Sequence, residues 1–280
     1  MKLKSSLFNI MFYLFVIILL SVELIPFFTI IIGSIKPNDE LFDPSKIIPT
    51  RIELIRYTDA PGEGMMTKDF FIQLRNSLII SATAALLIIG SATLSSYALA
   101  RLNFRFSKTF AQLILFSYLF PGAFLIFPLT FLMMQYGLYN NLASVILAET
   151  TISSPFAIWL LTGYFTSIPK EIEESALIDG CNRLQVILKV VMPLSIPALI
   201  AVFMYTFIRS WNNYLFPLIL LNNKDLWTLP IGISGLLGSE IVVWGKMFAM
   251  STVYALPAVI IFFFLNKYIV SGLTKGAVKA

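Results

Sequence analysis

Long apolar runs separated by shorter polar segments cover the chain from end to end. An α-helix needs roughly 20 mainly apolar residues to cross the hydrocarbon core of a bilayer. Runs of this kind lie near residues 7–35, 76–100, 110–135, 142–165, 193–221 and 247–270. The pattern therefore predicts an all-α, polytopic membrane protein whose single transmembrane domain, residues 1–280, contains six transmembrane helices.

Prolines interrupt several of the predicted spans. Pro121 and Pro128 lie in the third span, Pro155 in the fourth, Pro217 in the fifth and Pro257 in the sixth. Each proline removes a backbone donor, and the freed carbonyl needs a partner in protein or water because lipid offers none. Broken helices of this kind often line a transport path, although proline also produces ordinary kinks in membrane helices.

The composition agrees with a membrane protein and limits the kinds of functional site that the chain can contain. Apolar residues make up 58% of the 280 residues and charged residues only 12%, where a soluble domain carries about a quarter charged. The sequence has no His and one cysteine, Cys181, so we expect neither an intramolecular disulfide nor a metal site. It also has no paired acidic motif and no nucleophile elbow, so no catalytic residue is expected. The net charge of +5 includes no basic cluster with interleaved aromatics, which argues against a nucleic-acid partner.

The charges of the short loops predict the orientation in the membrane. Loop 136–141 has no charge at all, whereas basic residues crowd the loop after the second span and the segment after the sixth: Arg101, Arg105, Lys108, Lys267, Lys275 and Lys279. Basic residues near span ends stay on the cytoplasmic side. Both termini and the loops after the second and fourth spans are therefore predicted to be cytoplasmic. The first apolar run is too long for a signal peptide and is interpreted as a retained anchor.

The polar loop between the fourth and fifth spans has the most distinctive pattern. Ser167 as cap, with Pro169 and Glu171 in the first turn, predicts the start of a helix. Gly180 predicts a left-handed stop, and a second short helix is predicted from about Asn182 to the next span. We expect a helix–turn–helix on the cytoplasmic face, referred to below as the coupling loop (residues 167–193).

The coupling loop resembles a known motif. Its segments Glu174-Ser-Ala176, Asp179-Gly180 and, nine residues on, Val190-Val-Met-Pro193 are similar to the EAA motif of binding-protein-dependent ABC importer permeases. The departures exchange small for small or apolar for apolar residues: Ser175, Cys181, Val190 and Met192. Further segments resemble the shorter permease subunit of the maltose-type carbohydrate branch, namely 33–37, 75–77, 96–101, 136–140, 155–160, 211–217, 228–230 and the tail 266–279.

The resemblance implies how the chain is energised. The sequence contains no phosphate-binding loop pattern, so we expect ATP and Mg on partner subunits and no cofactor on this chain. In the resembled family, the EAA loop seats a short helix in a groove on an ATP-binding subunit, and the C-terminal tail reaches toward the ATPase dimer. The candidate ATPase-coupling residues are Glu173, Glu174, Ala176, Asp179, Gly180 and Arg183. Without that spacing match, Asp179-Gly180 would be interpreted as a simple turn.

The resemblance also implies a set of partners. They are two ATP-binding subunits at the cytoplasmic face, a second permease, an external solute-binding protein and a carbohydrate cargo. The second permease could be another copy of this chain, but the resemblance favours a different chain. The implied location is a bacterial-type plasma (inner) membrane.

A few polar residues lie inside the predicted spans. Charges within a membrane usually face a cavity or a partner, and Glu23, Glu149 and Arg209 lie where they could pair with one another. Aromatic and amide side chains suit a sugar, although a Trp beside a kinked helix is commonly a packing residue. The candidate translocation-pathway residues are Glu23, Glu149, Arg209, Trp211, Asn212 and Asn213.

Two alternatives remain at this point. A permease of the same architecture could import a peptide, a polyamine or a phosphate ester, and basic Arg209 would suit an anionic cargo. A secondary transporter driven by an ion gradient is the other alternative. The EAA spacing and the lack of a visible internal repeat argue against it.

Overall fold

The computed structural model describes residues 2–102, 104–238 and 242–277, with side chains for residues 9–102, 104–238 and 242–268. These residues form helices and loops without a strand. The long helices are α1 (Lys2–Ile35), α2 (Lys68–Arg101), α5 (Leu142–Ser167) and α11 (Trp244–Ala277). The shorter helices are α3 (Ser107–Tyr118), α4 (Gly122–Gln135), α6 (Lys170–Ile178), α7 (Arg183–Leu194), α8 (Ile196–Trp211), α9 (Leu215–Leu220) and α10 (Leu229–Gly235).

The predicted all-α, polytopic fold is confirmed. Within the described residues, four helices are long and apolar enough to cross a membrane, and six spans result if each of two bent helix pairs is one span. Pro128, Pro155 and Pro257 lie inside continuous helices, so these three prolines do not break their spans. The tail implied to reach the ATPases lies, from residue 269 on, outside the described side chains.

The third predicted span, 110–135, consists of two helices that are separated at Pro121, one of the prolines that interrupt it in the sequence. Helices α3 and α4 meet at a bend of 100° across residues 119–121. Pro121 has extended backbone (ψ 126°) just before α4 begins. Proline donates no backbone hydrogen bond, and it disfavours helical geometry in the residue before it. The apolar run continues through this bend, so the hydrophobic pattern did not show it.

The fifth predicted span, 193–221, has to be corrected. Its first long helix, α8, begins at Ile196, where α7 and α8 meet at a bend of 82°. Ser195, at this bend, has ψ of 9°, and Pro197 follows in the first turn, where its missing donor costs nothing. Helix α8 ends at Trp211, and residues 212–214 separate it from the short α9.

The chain divides into two compact units, residues 1–71 with 233–256 and residues 72–232 with 257–280. In the first unit, the buried Arg56 guanidinium donates to the backbone carbonyls of Ser34 and Lys36 at the end of α1. The last carbonyls of a helix lack partners within the helix, so Arg56 caps α1. Nearby, the Glu40 carboxylate accepts from the hydroxyl and backbone N–H of Thr50. These bonds, with the smaller contribution of Lys46, lower the pKa of Glu40 to about 2.

The second unit contains two apolar cores. One is formed by α2, α5, α7 and α8, with Ile88, Phe165 and Val202 among its buried members. The other gathers α2, α4, α5 and α9, with Val145 and Leu220 at its centre. The first core also takes in side chains of the coupling loop. The second lies next to the loops that join α4 to α5 and α9 to α10.

Candidate coupling loop and intramembrane polar cluster

The coupling loop forms the predicted helix–turn–helix. Gly180 has φ +88°, a left-handed conformation that L side chains adopt only under strain. The Cys181 N–H donates to the Ala176 carbonyl and closes the end of α6. Asn182 then caps α7, because its side chain accepts from Gln185 N while Gln185 Oε1 accepts from Asn182 N, each at 2.9 Å. This reciprocal capping box fixes where the second helix starts.

The predicted cap of the first loop helix is wrong. Ser167 belongs to the last turn of α5, where its hydroxyl donates to the Tyr164 carbonyl at 2.7 Å. Pro169 occupies the cap position of α6 without a side-chain hydrogen bond. The apolar face of α5 continues to the buried Phe165, and this packing extends α5 beyond the position at which Ser167 could begin a new helix.

Glu173 points into the protein. Arg101 Nε, at the end of α2, donates to Glu173 Oε1 at 2.6 Å, and the two side chains are only 4% and 5% exposed. Arg101 Nη2 also donates to the Ile168 carbonyl at 2.7 Å. Removing one partner of a buried ion pair typically costs about 3–5 kcal/mol, because the other charge is left uncompensated. Glu173 therefore anchors α6 to α2 and presents no free carboxylate at the loop surface.

Most other predicted coupling residues lie on the outside of the loop. Glu174, Asp179, Gly180 and Arg183 are exposed, whereas Ala176 is half-buried against the first core. Arg183 also reaches inward, and its Nη1 lies 3.5 Å from the Tyr97 hydroxyl.

Apolar side chains add to this outer surface, and sequence reasoning missed them. Ile178, next to the turn, is 85% exposed, and Leu184 and Leu188 on α7 are also exposed. Together with Glu174 and Asp179 they form what we name the loop tip. An apolar surface with charges beside it is typical of a protein interface. The signal in the sequence was the presence of large apolar residues on both sides of a polar turn.

A second polar group lies inside the second unit. Asn213 Nδ2 donates to Glu149 Oε1, and Arg209 Nη1 donates to Ser153 Oγ at 2.9 Å. Glu149 is 1% exposed. No ion pair within 4.0 Å joins Arg209 to Glu149 in the described residues. In place of the predicted ionic pairing, Glu149 accepts from the Asn213 amide and Arg209 donates to the Ser153 hydroxyl.

The remaining pathway candidates separate into buried and exposed residues. Trp211 is 2% exposed and stacks on Phe207 with ring centroids 5.8 Å apart, so this ring packs in the core and offers no face to a sugar. Asn212 is exposed, and Asn213 is half-buried. Glu23 is exposed on α1, in the first unit.

Side-chain hydrogen bonds join loops that are far apart in the sequence, and these bonds were not predicted from the sequence. Asn76 Nδ2 donates to the carbonyls of Asp225 and Trp227 at 2.9 and 3.0 Å. Asn140 has φ 58°, and its side-chain oxygen accepts from the N–H groups of Asn222 and Asn223. One feature of the sequence pointed to these two residues: Asn76 and Asn140 both lie in segments that resemble segments of the permease family.

The apolar helices and bent helix pairs are those of a multi-pass membrane protein. Residues 91–275 match the family described as binding-protein-dependent transport system inner membrane component. The chain is 36% identical, over 99% of its length and 98% of the relative's, to the inner membrane ABC transporter permease protein YcjP of Escherichia coli. It is 32% identical, over 99% and 98%, to the arabinooligosaccharides transport system permease protein AraQ of Bacillus subtilis.

A solved structure shares the fold. It is that of a bacterial ABC transporter involved in the import of the acidic polysaccharide alginate, with a TM-score of 0.80, 23% identity, and coverage of 95% of this chain and 97% of the other. The chain therefore belongs to the family of inner membrane components of binding-protein-dependent transport systems. It is the transport subunit of an ABC importer and a multi-pass membrane protein.

Proposed function

We propose that this permease imports a sugar or an oligosaccharide that an external binding protein delivers. Support comes from relatives that align over nearly the whole chain. They are named as permeases for arabinooligosaccharides, for diacetylchitobiose in Streptomyces coelicolor and for trehalose and maltose in Thermococcus litoralis. These cargoes share the chemistry of linked pyranose or furanose rings.

The coupling loop is the observation that supports the mechanism. Its two capped helices hold the loop tip outward, while Glu173 and the apolar face of α6 fix the loop to α2 and the first core. A rigid loop with an exposed apolar tip can transmit movement from a partner to the spans. Two separate ATP-binding subunits would dock here and hold the ATP and Mg. ATP shifts the transport equilibrium only by its differential affinity for the two arrangements of the complex.

The proposal also includes the partner subunits of the chain and its orientation in the membrane. A second, different permease subunit completes the pathway, and the external binding protein presents the cargo. Both termini and the coupling loop lie in the cytoplasm, as the basic residues after the second and sixth spans favour. This chain itself binds no cofactor.

Purification from native membranes through a tag on this chain tests the proposal. We expect an ATP-binding subunit and a second permease to co-purify. In proteoliposomes supplied with the external binding protein, the complex should accumulate labelled arabinotriose, maltose or diacetylchitobiose only when ATP is hydrolysed. Accumulation driven by an ion gradient without ATP would contradict the mechanism. ATP-driven uptake of peptides or polyamines, with none of the three sugars transported, would contradict the cargo class.

A further inference from the structure

A cavity of about 250 Å³ lies beside the end of α1, within the first unit. The residues that line it include Thr29, Ile32, Gly33, Lys36, Asp43 and Phe248. Gly33 lets α1 approach α11 closely at this point, because a Cβ added there would lie 2.7 Å from the Phe248 ring. The wall is mainly apolar, and its two charged side chains are Lys36 and Asp43. We name this space the α1-end cavity.

The Lys36 side chain is buried at the α1-end cavity without a protein partner. Lys36 is 6% exposed, and among the described residues no ion pair or side-chain hydrogen bond joins its ammonium. A cation at the end of a helix commonly binds the last carbonyls of that helix. Arg56 already takes this role, because its guanidinium donates to the carbonyls of Gly33, Ser34 and Lys36. The Lys36 ammonium is therefore available to a ligand, and a buried charge needs one because burial without a counter-charge is costly.

A carboxylate lines the same cavity. Asp43 Oδ1 accepts from the backbone N–H and the hydroxyl of Ser45 at 2.9 and 2.6 Å, which leaves Oδ2, in the part of the chain that the structure describes, for another donor. These two bonds, with smaller contributions from Lys46 and Lys36, lower the pKa of Asp43, so it is ionised at neutral pH. Asp43 and Lys36 form no ion pair within 4.0 Å in the described ranges. The cavity therefore offers one cation and one anion that are not joined to each other.

The length of α1 places the cavity at the level of lipid headgroups. The apolar part of the helix, Asn9–Ile35, has 27 residues and so extends for about 40 Å at a rise of about 1.5 Å per residue. The hydrocarbon core of a bilayer is about 30 Å thick, and the headgroup regions lie just beyond it. Lys36 follows this stretch directly, at the depth where lipid phosphates lie. No residue in the most apolar stretch of α1 is buried within this chain, so acyl chains can lie along the helix up to the cavity.

We propose that the α1-end cavity binds the headgroup of phosphatidylethanolamine, a zwitterionic phospholipid, in the leaflet where α1 ends. The phosphate oxygens would accept from the Lys36 ammonium, and the headgroup amine would donate to the Asp43 carboxylate. Pockets for whole drug-sized ligands usually measure about 300–1,000 Å³, so this smaller cavity suits a headgroup whose acyl chains stay outside. The site lies apart from the coupling loop and does not depend on which cargo the transporter carries.

Native mass spectrometry of the transporter, purified through a tag on this chain and stripped of lipid in detergent, tests the site. The probe is dioleoyl phosphatidylethanolamine. Dioleoyl phosphatidylglycerol has the phosphate without the amine, and glycerophosphoethanolamine has the headgroup without acyl chains. The variants are Lys36→Met and Asp43→Asn. Lys68→Met is the matched control, because Lys68 is an exposed lysine of the same unit at the start of α2.

The wild type and Lys68→Met should bind phosphatidylethanolamine with equal affinity. Lys36→Met should bind it about tenfold more weakly, the size expected for one hydrogen bond between charged groups. The wild type should prefer phosphatidylethanolamine to phosphatidylglycerol, and Asp43→Asn should lose that preference. Equal affinity of Lys36→Met and the wild type overturns the proposal, as does a wild type without preference between the two lipids. Binding of glycerophosphoethanolamine as tight as that of the lipid would assign the cavity to a soluble phosphate ester and overturn the lipid site.

Thermal unfolding of the same samples gives a readout that does not depend on the intrinsic stability of each variant. A ligand that binds the folded state raises its stability, so added phosphatidylethanolamine should raise the midpoint of the wild type and of Lys68→Met. The rise should be much smaller in Lys36→Met. A rise of the same size in Lys36→Met contradicts the proposal even if that variant is less stable without lipid. A wild-type complex that binds no phosphatidylethanolamine also overturns it and assigns the cavity to packing within the assembled transporter.

Discussion

Arg101 at the end of α2 and Glu173 in α6 form a buried ion pair, with Nε and Oε1 2.6 Å apart. Arg101 also binds the Ile168 carbonyl at the junction of α5 and α6. Three helices therefore converge on one guanidinium at the base of the coupling loop. Under the proposed mechanism, a displacement of the loop tip would act on α2 and α5 through this contact.

Removal of Arg101 should destabilise the loop. Arg101→Ala leaves the Glu173 carboxylate buried without its cation, and we expect a loss of about 3–5 kcal/mol in the free energy of unfolding. The measurement is thermal unfolding of the purified complex, followed by the fluorescence of a thiol dye at Cys181. Arg105→Ala is the matched control, because Arg105 is exposed in the loop between α2 and α3 and lies four residues after Arg101.

The charge-reversed pair separates an ionic role from a packing role. Arg101→Glu combined with Glu173→Arg should recover part of the stability that either single variant loses. A double variant as unstable as the sum of the two singles would contradict a direct ionic coupling.

Gly180 should tolerate side chains according to backbone conformation alone. No atom lies within 4 Å of a Cβ built at Gly180, but its φ is +88°. We expect Gly180→Val to cost about 1–2 kcal/mol through the left-handed backbone, whereas Gly180→Asn should be milder because Asn adopts this conformation more readily. The readout is the amount of ATPase that co-purifies with each variant. Equal retention by both variants would show that the turn is not strained by Val.

The stability of the protein should depend on Asn213, because this residue donates to the buried Glu149. Asn213→Ala removes the amide that donates to the buried Glu149 side chain, and a buried acceptor left without its donor costs about 1–3 kcal/mol. The same substitution in a Glu149→Gln background should be less damaging, since the interaction with Asn213 is already changed there. Thermal unfolding of the wild type, both single variants and the double variant gives the coupling energy. Additive losses would argue that the two side chains act independently.

Thiol labelling in intact cells tests the orientation. Tyr136 is 73% exposed in the loop between α4 and α5, and we predict that Tyr136→Cys reacts with an impermeant maleimide added from outside. Native Cys181, in the coupling loop, should react only after the membrane is permeabilised. Labelling of Cys181 in intact cells expressing the wild-type chain would reverse the topology.

Local signals in the sequence predicted local structure well. Gly180 and Asn182 determine their turn and cap through their own backbone and side-chain chemistry, so the helix–turn–helix could be predicted without knowledge of the rest of the fold. The inward orientation of the Glu173 side chain could also have been predicted from the sequence. Glu173 shares a helix face with Ala176 and Leu177, which pack against the first core. Glu173 was instead assigned to ATPase coupling, because the assignment followed the EAA spacing and not this helical periodicity.

Tertiary relationships could not be predicted in the same way. Trp211 lies beside polar neighbours in the sequence, and the burial of its ring follows from the packing of the folded chain. Pro121 indicated an interruption of the third span, but the 100° angle between α3 and α4 depends on packing that the sequence does not show. The ring cluster of Tyr118, Phe156 and Tyr205 combines three helices whose residues are far apart in the sequence, so no spacing rule shows it.

The loop tip is expected to be the docking surface for the ATPase. Ile178→Ser removes an apolar side chain that is 85% exposed, and Ile47→Ser is the matched control at a 76% exposed position in the loop between α1 and α2. Apolar anchors of interfaces commonly contribute more than about 1 kcal/mol each, so Ile178→Ser should weaken ATPase binding about fivefold to tenfold. Glu174→Lys should weaken it further by reversing a charge at the same surface.

The most direct measurement is cargo-stimulated ATP hydrolysis by the reconstituted complex, with the external binding protein loaded with sugar. The wild-type complex and the Ile47→Ser variant should respond to the loaded binding protein, whereas Ile178→Ser and Glu174→Lys should lose most of the stimulation at equal amounts of inserted permease. Full stimulation in both loop-tip variants would contradict the claim that this loop couples ATP hydrolysis to transport.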